Sequence, residues 1–348
     1  MAIKKQGYAV FSNRIHRLAN EERFPLRAMF ELTYRCNFKC IHCYNTETQK
    51  KTKPQNELTT RQVFDILTQL KRIGCLYLGF TGGEIFLRHD ILDIIIYARK
   101  LGFELILLTN GSLINRKVAD RLSKLRLNKI DITVHAMNDG IFDKITQIPG
   151  SAKKVFRAIK LLYKRNIPLG LKSCGMRENK DEVVKIQKFA SGIKAIYRLN
   201  TELLACNDRG KTPFEHRLSA VELYSLYKDY YPEGFAFRAV KKEKSGHIFP
   251  CGVGKTDLTI NPFGGLQLCL AIDYPKYDIL KGGLALGWQK IKEFVDELKA
   301  PAGWVCAKCD LVPFCRRCPA KGYLEDGNFF SCNHYSRQQA EFIKEMQA

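Results

Sequence analysis

AMFELTYRCNFKCIHCYN, residues 28 to 45, decides how the rest of the chain is read. Residues 28–33 read as a strand, and Cys36, Cys40 and Cys43 follow at once as C-x3-C-x2-C. Three thiolates on one short loop can hold three irons of a [4Fe-4S] cube and leave the fourth iron open. A structural zinc site would need a fourth protein ligand, and no further Cys or His stands at a convincing spacing. His42 lies inside the loop and would point away from a metal that its neighbours ligate.

Outward from this segment the first two thirds of the chain alternate strand and helix. Further strands are expected at 76–80, 104–108, 129–134, 168–172 and 195–200, with amphipathic helices at 60–73, 91–101, 116–125, 152–165 and 182–190. Thr59 and Thr60, ahead of Val63, Phe64, Ile66, Leu67 and Leu70, mark a helix start with apolar residues at helical spacing. Repeated β/α units imply a parallel sheet with helices outside, and six units fit an α/β partial (β/α)6 TIM-like barrel. Ligand sites of such folds lie on loops at the C-terminal strand ends. From about residue 246 the texture turns to Gly, Pro and Cys with short strand signals at 257–260 and 265–268, as expected of a small cysteine-rich domain held by metal. The expected organisation is an extension over 1–25, the barrel over 26–230, a linker over 231–245 and the cysteine-rich domain over 246–348, with a last helix near 335–345 packing back.

Composition bounds the function. The basic N-terminus lacks an apolar run and a cleavage site, and the longest aliphatic stretch, 91–98, is broken by Asp93 and too short to span a bilayer. A cytoplasmic, non-membrane protein is expected. In a reducing compartment the 13 cysteines point to metal or redox chemistry rather than disulfides. The formal charge of +22 is spread along the chain and gathers in no tract, so nucleic acid is not the favoured partner; an anionic small molecule or acidic peptide suits the excess equally.

The triad in RCNFKCIHCYN, followed one β/α unit later by Thr81-Gly82-Gly83-Glu84, resembles the radical S-adenosylmethionine (SAM) superfamily. The resemblance implies that the open iron chelates SAM, that the glycines let backbone approach its methionine portion, and that Glu84 accepts from its ammonium. Thr109-Asn110-Gly111 and Thr133-Val134-His135-Ala136 are similar to segments that line the family's SAM pocket, with Thr133 in place of the usual serine. Asn110, Thr133 and His135 are thus candidate SAM contacts, His135 being equally readable as a satisfied polar residue. Lys172 could pair with the SAM carboxylate or simply be solvated.

Cys251, Gly264 and Cys269 give C-x12-G-x4-C, and Cys306, Cys309, Cys315 and Cys318 give C-x2-C-x5-C-x2-C before Cys332. Zinc is one reading of the paired cysteines. The whole series resembles the SPASM extension, whose cysteines bind two auxiliary [4Fe-4S] clusters. That likeness implies one cluster on Cys306, Cys309, Cys315 and Cys332 and a nearer one on Cys251, Cys269 and Cys318. The nearer cluster then has an open iron or another ligand, for which Asp257 is a candidate and Cys174 and Cys206 are alternatives. Either thiol would otherwise be a small buried hydrophobe or, facing the site, a hydrogen-atom donor to a substrate radical.

The resemblance implies an oxidoreductase that cleaves SAM to a 5′-deoxyadenosyl radical and abstracts hydrogen from a peptide or protein side chain. A reductant such as flavodoxin or ferredoxin would feed it, and a separate peptide-recognition protein could serve it, since about 25 residues precede the barrel. Alternatives are a cofactor-pathway enzyme acting on a haem-like tetrapyrrole or quinone precursor, a sulfatase-maturase-like enzyme and, outside enzymes, a zinc-dependent RNA-binding module.

Overall fold

Strand β1 (Arg27–Thr33) shows how the sheet is built. Ala28, Phe30 and Leu32 are buried in the main hydrophobic core, while Arg27 and Met29, on the opposite face, line a cavity. The computed structural model describes residues 8–45, 53–231, 248–315 and 317–347. Five further parallel strands follow in order: β2 (Tyr77–Gly82), β3 (Glu104–Thr109), β4 (Lys129–Thr133), β5 (Leu169–Cys174) and β6 (Ile196–Asn200). They match the six strands expected.

The helices are α1 (Tyr8–Glu22), α2 (Thr60–Arg72), α3 (Ile91–Lys100), α4 (Arg116–Leu122), α5 (Asp139–Thr146), α6 (Ser151–Tyr163), α7 (Val183–Gly192) and α8 (Ala220–Tyr230). Helix α2 begins where its sequence says it should. Thr59 accepts from the Gln62 amide, Gln62 accepts from the Thr59 amide, and Val63, Ile66, Leu67 and Leu70 form the buried face.

The sheet does not stop at the expected boundary near residue 246. Strand β7 (Asp257–Ile260) pairs parallel with β1, and β8 (Gly265–Cys269) and β9 (Ile272–Asp278) continue antiparallel. The order is β6-β5-β4-β3-β2-β1-β7-β8-β9, an open sheet dominated by parallel pairs rather than a closed barrel. The core runs on as well, since one hydrophobic cluster takes in Phe30, Leu107, Leu258, Trp288 and Phe329. Arg23, just after α1, donates to Gly254 O and pairs with Asp296, and the Trp288 indole donates to Arg23 O at 2.9 Å. A physical reason is plain: an unpaired β1 would expose the backbone of a strand buried on both faces.

Helices α9 (Ile279–Gly282), α10 (Leu284–Glu297), α11 (Pro319–Asp326) and α12 (His334–Gln347) complete the chain. As expected of the last helix, α12 packs back: the Tyr335 hydroxyl donates to Leu218 O at 2.9 Å, and Phe342 meets Tyr224 edge to face. Beneath it Arg217 pairs with Glu325 at 2.6 Å and Lys321 pairs with Glu202. Among the described residues no helix is long and apolar enough to cross a membrane. Residues 232–245 of the expected linker lie outside the described residues.

Candidate active site

The loop carrying Cys36, Cys40 and Cys43 leaves the C-terminal end of β1 and is held by the end of β2. The Gly83 amide donates to Thr33 O at 2.7 Å and the Glu84 amide to Arg35 O at 2.8 Å. The approach is close enough that only glycine fits. A Cβ on Gly82, whose φ is +137°, would lie 2.0 Å from Thr33 O, and one on Gly83 would lie 2.2 Å from Arg35 O. The glycines therefore serve the packing of the cysteine loop as well as lining the cavity. Arg35 pairs with Glu57 at 3.1 Å, which also accepts from the Thr33 hydroxyl.

Glu84 differs from its expected role. Its carboxylate is fully buried and is not on the cavity wall. It accepts from the Thr109 hydroxyl at 2.7 and 2.8 Å, the Asn110 amide at 2.7 Å and the Phe86 amide at 3.0 Å, so three donors, from the end of β3 and from the turn after β2, hold it. Asn110, so placed, donates to Asn37 Oδ1 at 2.9 Å and lies 3.9 Å from Cys36 Sγ. The network carries position from Glu84 through Asn110 to the first cysteine.

The triad is a donor set that calls for a positive core. Burial pushes the Cys36 thiol up to about 11 and the Cys40 thiol well above its ordinary value, and the neighbouring cysteines raise both further. Three mutually repelling sulfurs become thiolates only against a cation, and polar nitrogens already face them: the Phe38 amide donates to Cys36 Sγ at 3.4 Å and His135 Nε2 lies 3.8 Å from Cys40 Sγ. Among the described residues no three ligating side chains converge on a single ion, and a cube, which spreads its thiolates over separate irons, does not require that.

His135 is buried against Cys40, edge to face with His42 and Phe142, each at 5.2 Å. Burial holds His42 down at about 4 and His135 lower than its usual range, so both rings are neutral.

One cavity of about 830 Å³ joins the two ends of the sheet. Cys36, Cys40, Cys43, Thr81, Gly82, Gly83, Asn110, Thr133, His135, Lys172 and Cys174 line its part at the C-terminal strand ends. Cys251, Asp257 and Cys269 line its part beside the start of β1. Lys172 is the cation here without an ion pair among the described residues, and burial lowers its pKa. Cys206 is not on the wall; it is buried, with Sγ 3.8 Å from Cys43 O, which removes it as a donor to anything in the cavity. Asp257 is not a free carboxylate: Arg27 Nε pairs with it at 2.7 Å and the Thr256 hydroxyl donates at 2.8 Å.

For the cysteines near the C-terminal end of the chain the resemblance implied two groups. Burial raises Cys251 and takes Cys269 to about 12, and the neighbouring Cys318 raises both. In the second implied group, of Cys306, Cys309, Cys315 and Cys332, burial raises Cys306 and takes Cys315 to about 11, and the neighbouring Cys332 raises both. Sequence reasoning missed Arg27, Asn37, Glu31 and Arg317. Of these Asn37 and Arg317, each standing between two ligand-spaced cysteines, carried a local signal.

Residues 30–190 match the family model described as the radical SAM superfamily. The chain is similar to the AdoMet-dependent heme synthase of Methanosarcina barkeri (strain Fusaro / DSM 804), with 23% identity over 341 residues, covering 89% of this chain and 96% of that protein. It is also similar to the Fe-coproporphyrin III synthase of the same organism, with 28% identity over 158 residues, 45% of this chain and 39% of the other. The fold is shared with Streptococcus suis SuiB bound to S-adenosylmethionine, at a TM-score of 0.71 and 14% identity, covering 97% of this chain and 82% of that one. It is shared as well with anSMEcpe bound to AdoMet and a Cp18Cys peptide, at 0.68 and 17%, covering 92% and 96%.

Proposed function

We infer, from the premise that this chain belongs to the radical SAM superfamily, that it is an enzyme that oxidises a substrate held in the cavity between Cys36, Cys40 and Cys43 at one end and Cys251 and Cys269 at the other. That single cavity carries the reading. When bound, a [4Fe-4S] cluster with SAM supplies a hydrogen-abstracting 5′-deoxyadenosyl radical, and two auxiliary clusters supply an acceptor for the electron left on the substrate.

The chain's own residues do the rest. Cys36, Cys40 and Cys43 hold the first cluster, with Asn110 and His135 against the Cys36 and Cys40 sulfurs. Thr81, Gly82, Gly83, Thr133 and Lys172 form the wall for SAM, Lys172 offering its ammonium to a carboxylate. Glu84 acts behind that wall by fixing Thr109 and Asn110. Cys251, Cys269 and Cys318 hold the nearer auxiliary cluster, and Cys306, Cys309, Cys315 and Cys332 the farther one. Cys174, on the wall near Lys172, is the thiol placed to return a hydrogen atom.

The substrate class favoured is a small molecule bearing carboxylates, of the iron-tetrapyrrole kind. Near full-length similarity to a protein named as a heme synthase supports it, together with the Lys172 cation in the cavity. A peptide side chain is the second reading, supported by the likeness to SuiB in complex with its precursor peptide SuiA, at a TM-score of 0.69.

Anaerobic reconstitution with SAM and a strong reductant tests the proposal. About 12 irons per chain, formation of 5′-deoxyadenosine and substrate-dependent consumption of an iron tetrapyrrole are expected. Consumption of a peptide instead would replace the substrate class and keep the chemistry. Undiminished SAM cleavage after Cys36, Cys40 and Cys43 are all changed to alanine would refute the reading.

A further inference from the structure

Arg317 stands two residues after Cys315 and one before Cys318, between a member of the four-cysteine group and a member of the three-cysteine group. A chain of three residue steps spans at most about 11 Å, so the two groups must come close together next to this side chain.

The guanidinium is fixed on three sides. Nη1 donates to Ile248 O at 3.0 Å, Nη2 donates to Phe329 O at 2.6 Å, and the carbon at its centre stands 4.5 Å over the Trp304 ring. Among the described residues no carboxylate pairs with it, and Nε is buried without a hydrogen-bond partner. The sulfurs that act on its charge are Cys306, Cys315 and Cys332 from one group and Cys318 from the other. A half-buried cation with an orphaned N–H and no carboxylate is unfavourable by itself. The guanidinium already hydrogen-bonds the Cys306 side chain, and cubes held by thiolates would add the net negative charge and the further sulfur acceptors that Nε lacks.

We propose that Arg317 is a positioning residue set between the two auxiliary clusters, where its fixed charge and its Nε–H raise the reduction potential of one or both and make the pair a better electron acceptor. The inference rests on the cluster reading of these seven cysteines. Positive charge and hydrogen bonds to sulfur stabilise the reduced, more negative state. The carbonyls of Ile248 and Phe329 and the Trp304 ring keep the guanidinium from turning outward to solvent.

The test uses the full chain, reconstituted anaerobically, with Cys36, Cys40 and Cys43 changed to alanine so that only auxiliary clusters remain. Iron and sulfide are counted, and the clusters are titrated against potential by electron paramagnetic resonance in this background and with Arg317→Gln or Arg317→Lys added. In Arg317→Gln at least one cluster should show its reduced fraction fall about tenfold at fixed poise, ~59 mV for a one-electron couple. Arg317→Lys, which keeps the charge and loses the Nε donor, should fall between. Full iron with unshifted potentials in either variant overturns the inference. Loss of auxiliary iron from both variants, with the fold intact by circular dichroism, overturns it too, because Arg317 would then be a scaffold residue. A parent without auxiliary iron would overturn the cluster reading beneath it.

Discussion

Replacing Glu84 separates two roles for the acidic residue of the Gly-Gly-Glu segment. The side chain is fully buried and receives hydrogen bonds from the Thr109 hydroxyl and the Asn110 and Phe86 amides. Glu84→Ala orphans three donors. At about 1–3 kcal/mol for each unsatisfied buried group, less the cost no longer paid for burying a carboxyl, the net loss is about 3 kcal/mol. At roughly 2 °C per kcal/mol for a chain of this size, that lowers Tm by about 6 °C. Thr109→Val, which removes one donor and keeps the shape, should reproduce about a third of it. The assay is thermal unfolding of the reconstituted protein alongside SAM affinity by equilibrium binding. Glu84→Ala melting within about 1 °C of wild type while SAM affinity falls tenfold or more would show the carboxylate to be a SAM ligand rather than a clamp on β3.

Three further outcomes are expected. Gly83→Ala drives a Cβ into Arg35 O, so the cysteine loop must move; about four fewer irons per chain should be retained, and an unchanged iron count would contradict the packing argument. Lys172→Met removes the cavity cation and should weaken SAM binding about tenfold, with Tm nearly unchanged; equal affinity would remove Lys172 from the SAM wall. Burial raises Glu31 to about 8, so the native state keeps a proton that the unfolded chain has lost between about pH 4.5 and 8. Stability therefore falls as pH rises through that window, by as much as about 5 kcal/mol, and Glu31→Gln should flatten the slope; a variant with the wild-type slope in urea titrations would exclude Glu31 as its source.

The parts of this molecule that repeat locally could be read from the chain. The β1 to β6 strands are short apolar runs between helical patterns, and helix α2 announces itself with Thr59 and Gln62. The cysteine spacings behind the two proposed auxiliary groups are local in the chain as well. What escaped depends on contacts far apart in sequence. Nothing near Asp257 says that it will pair with Arg27 and extend the sheet from β1, because the partners lie 230 residues apart. Glu84 looks like an open ligand until the β2–β3 register brings Thr109 and Asn110 onto it. Cys206 resembles any other thiol near a strand end, and only the fold turns it toward Cys43 O.

Strand β1 also acts as a ruler. It is paired along its length by β2 and over Arg27–Phe30 by β7, with the cysteine triad just past one end and the Arg27–Asp257 pair beside Cys251 at the other. Seven residues at about 3.3 Å per step give roughly 20 Å between those ends. Deleting one residue would turn Met29 and its face into the core, and deleting two would keep the faces but shorten the span by about 7 Å while pulling both neighbours out of register. The distance between the two ends of the cavity is therefore a discrete quantity, fixed in steps of two residues, and a substrate of different length would call for a different strand rather than a different loop.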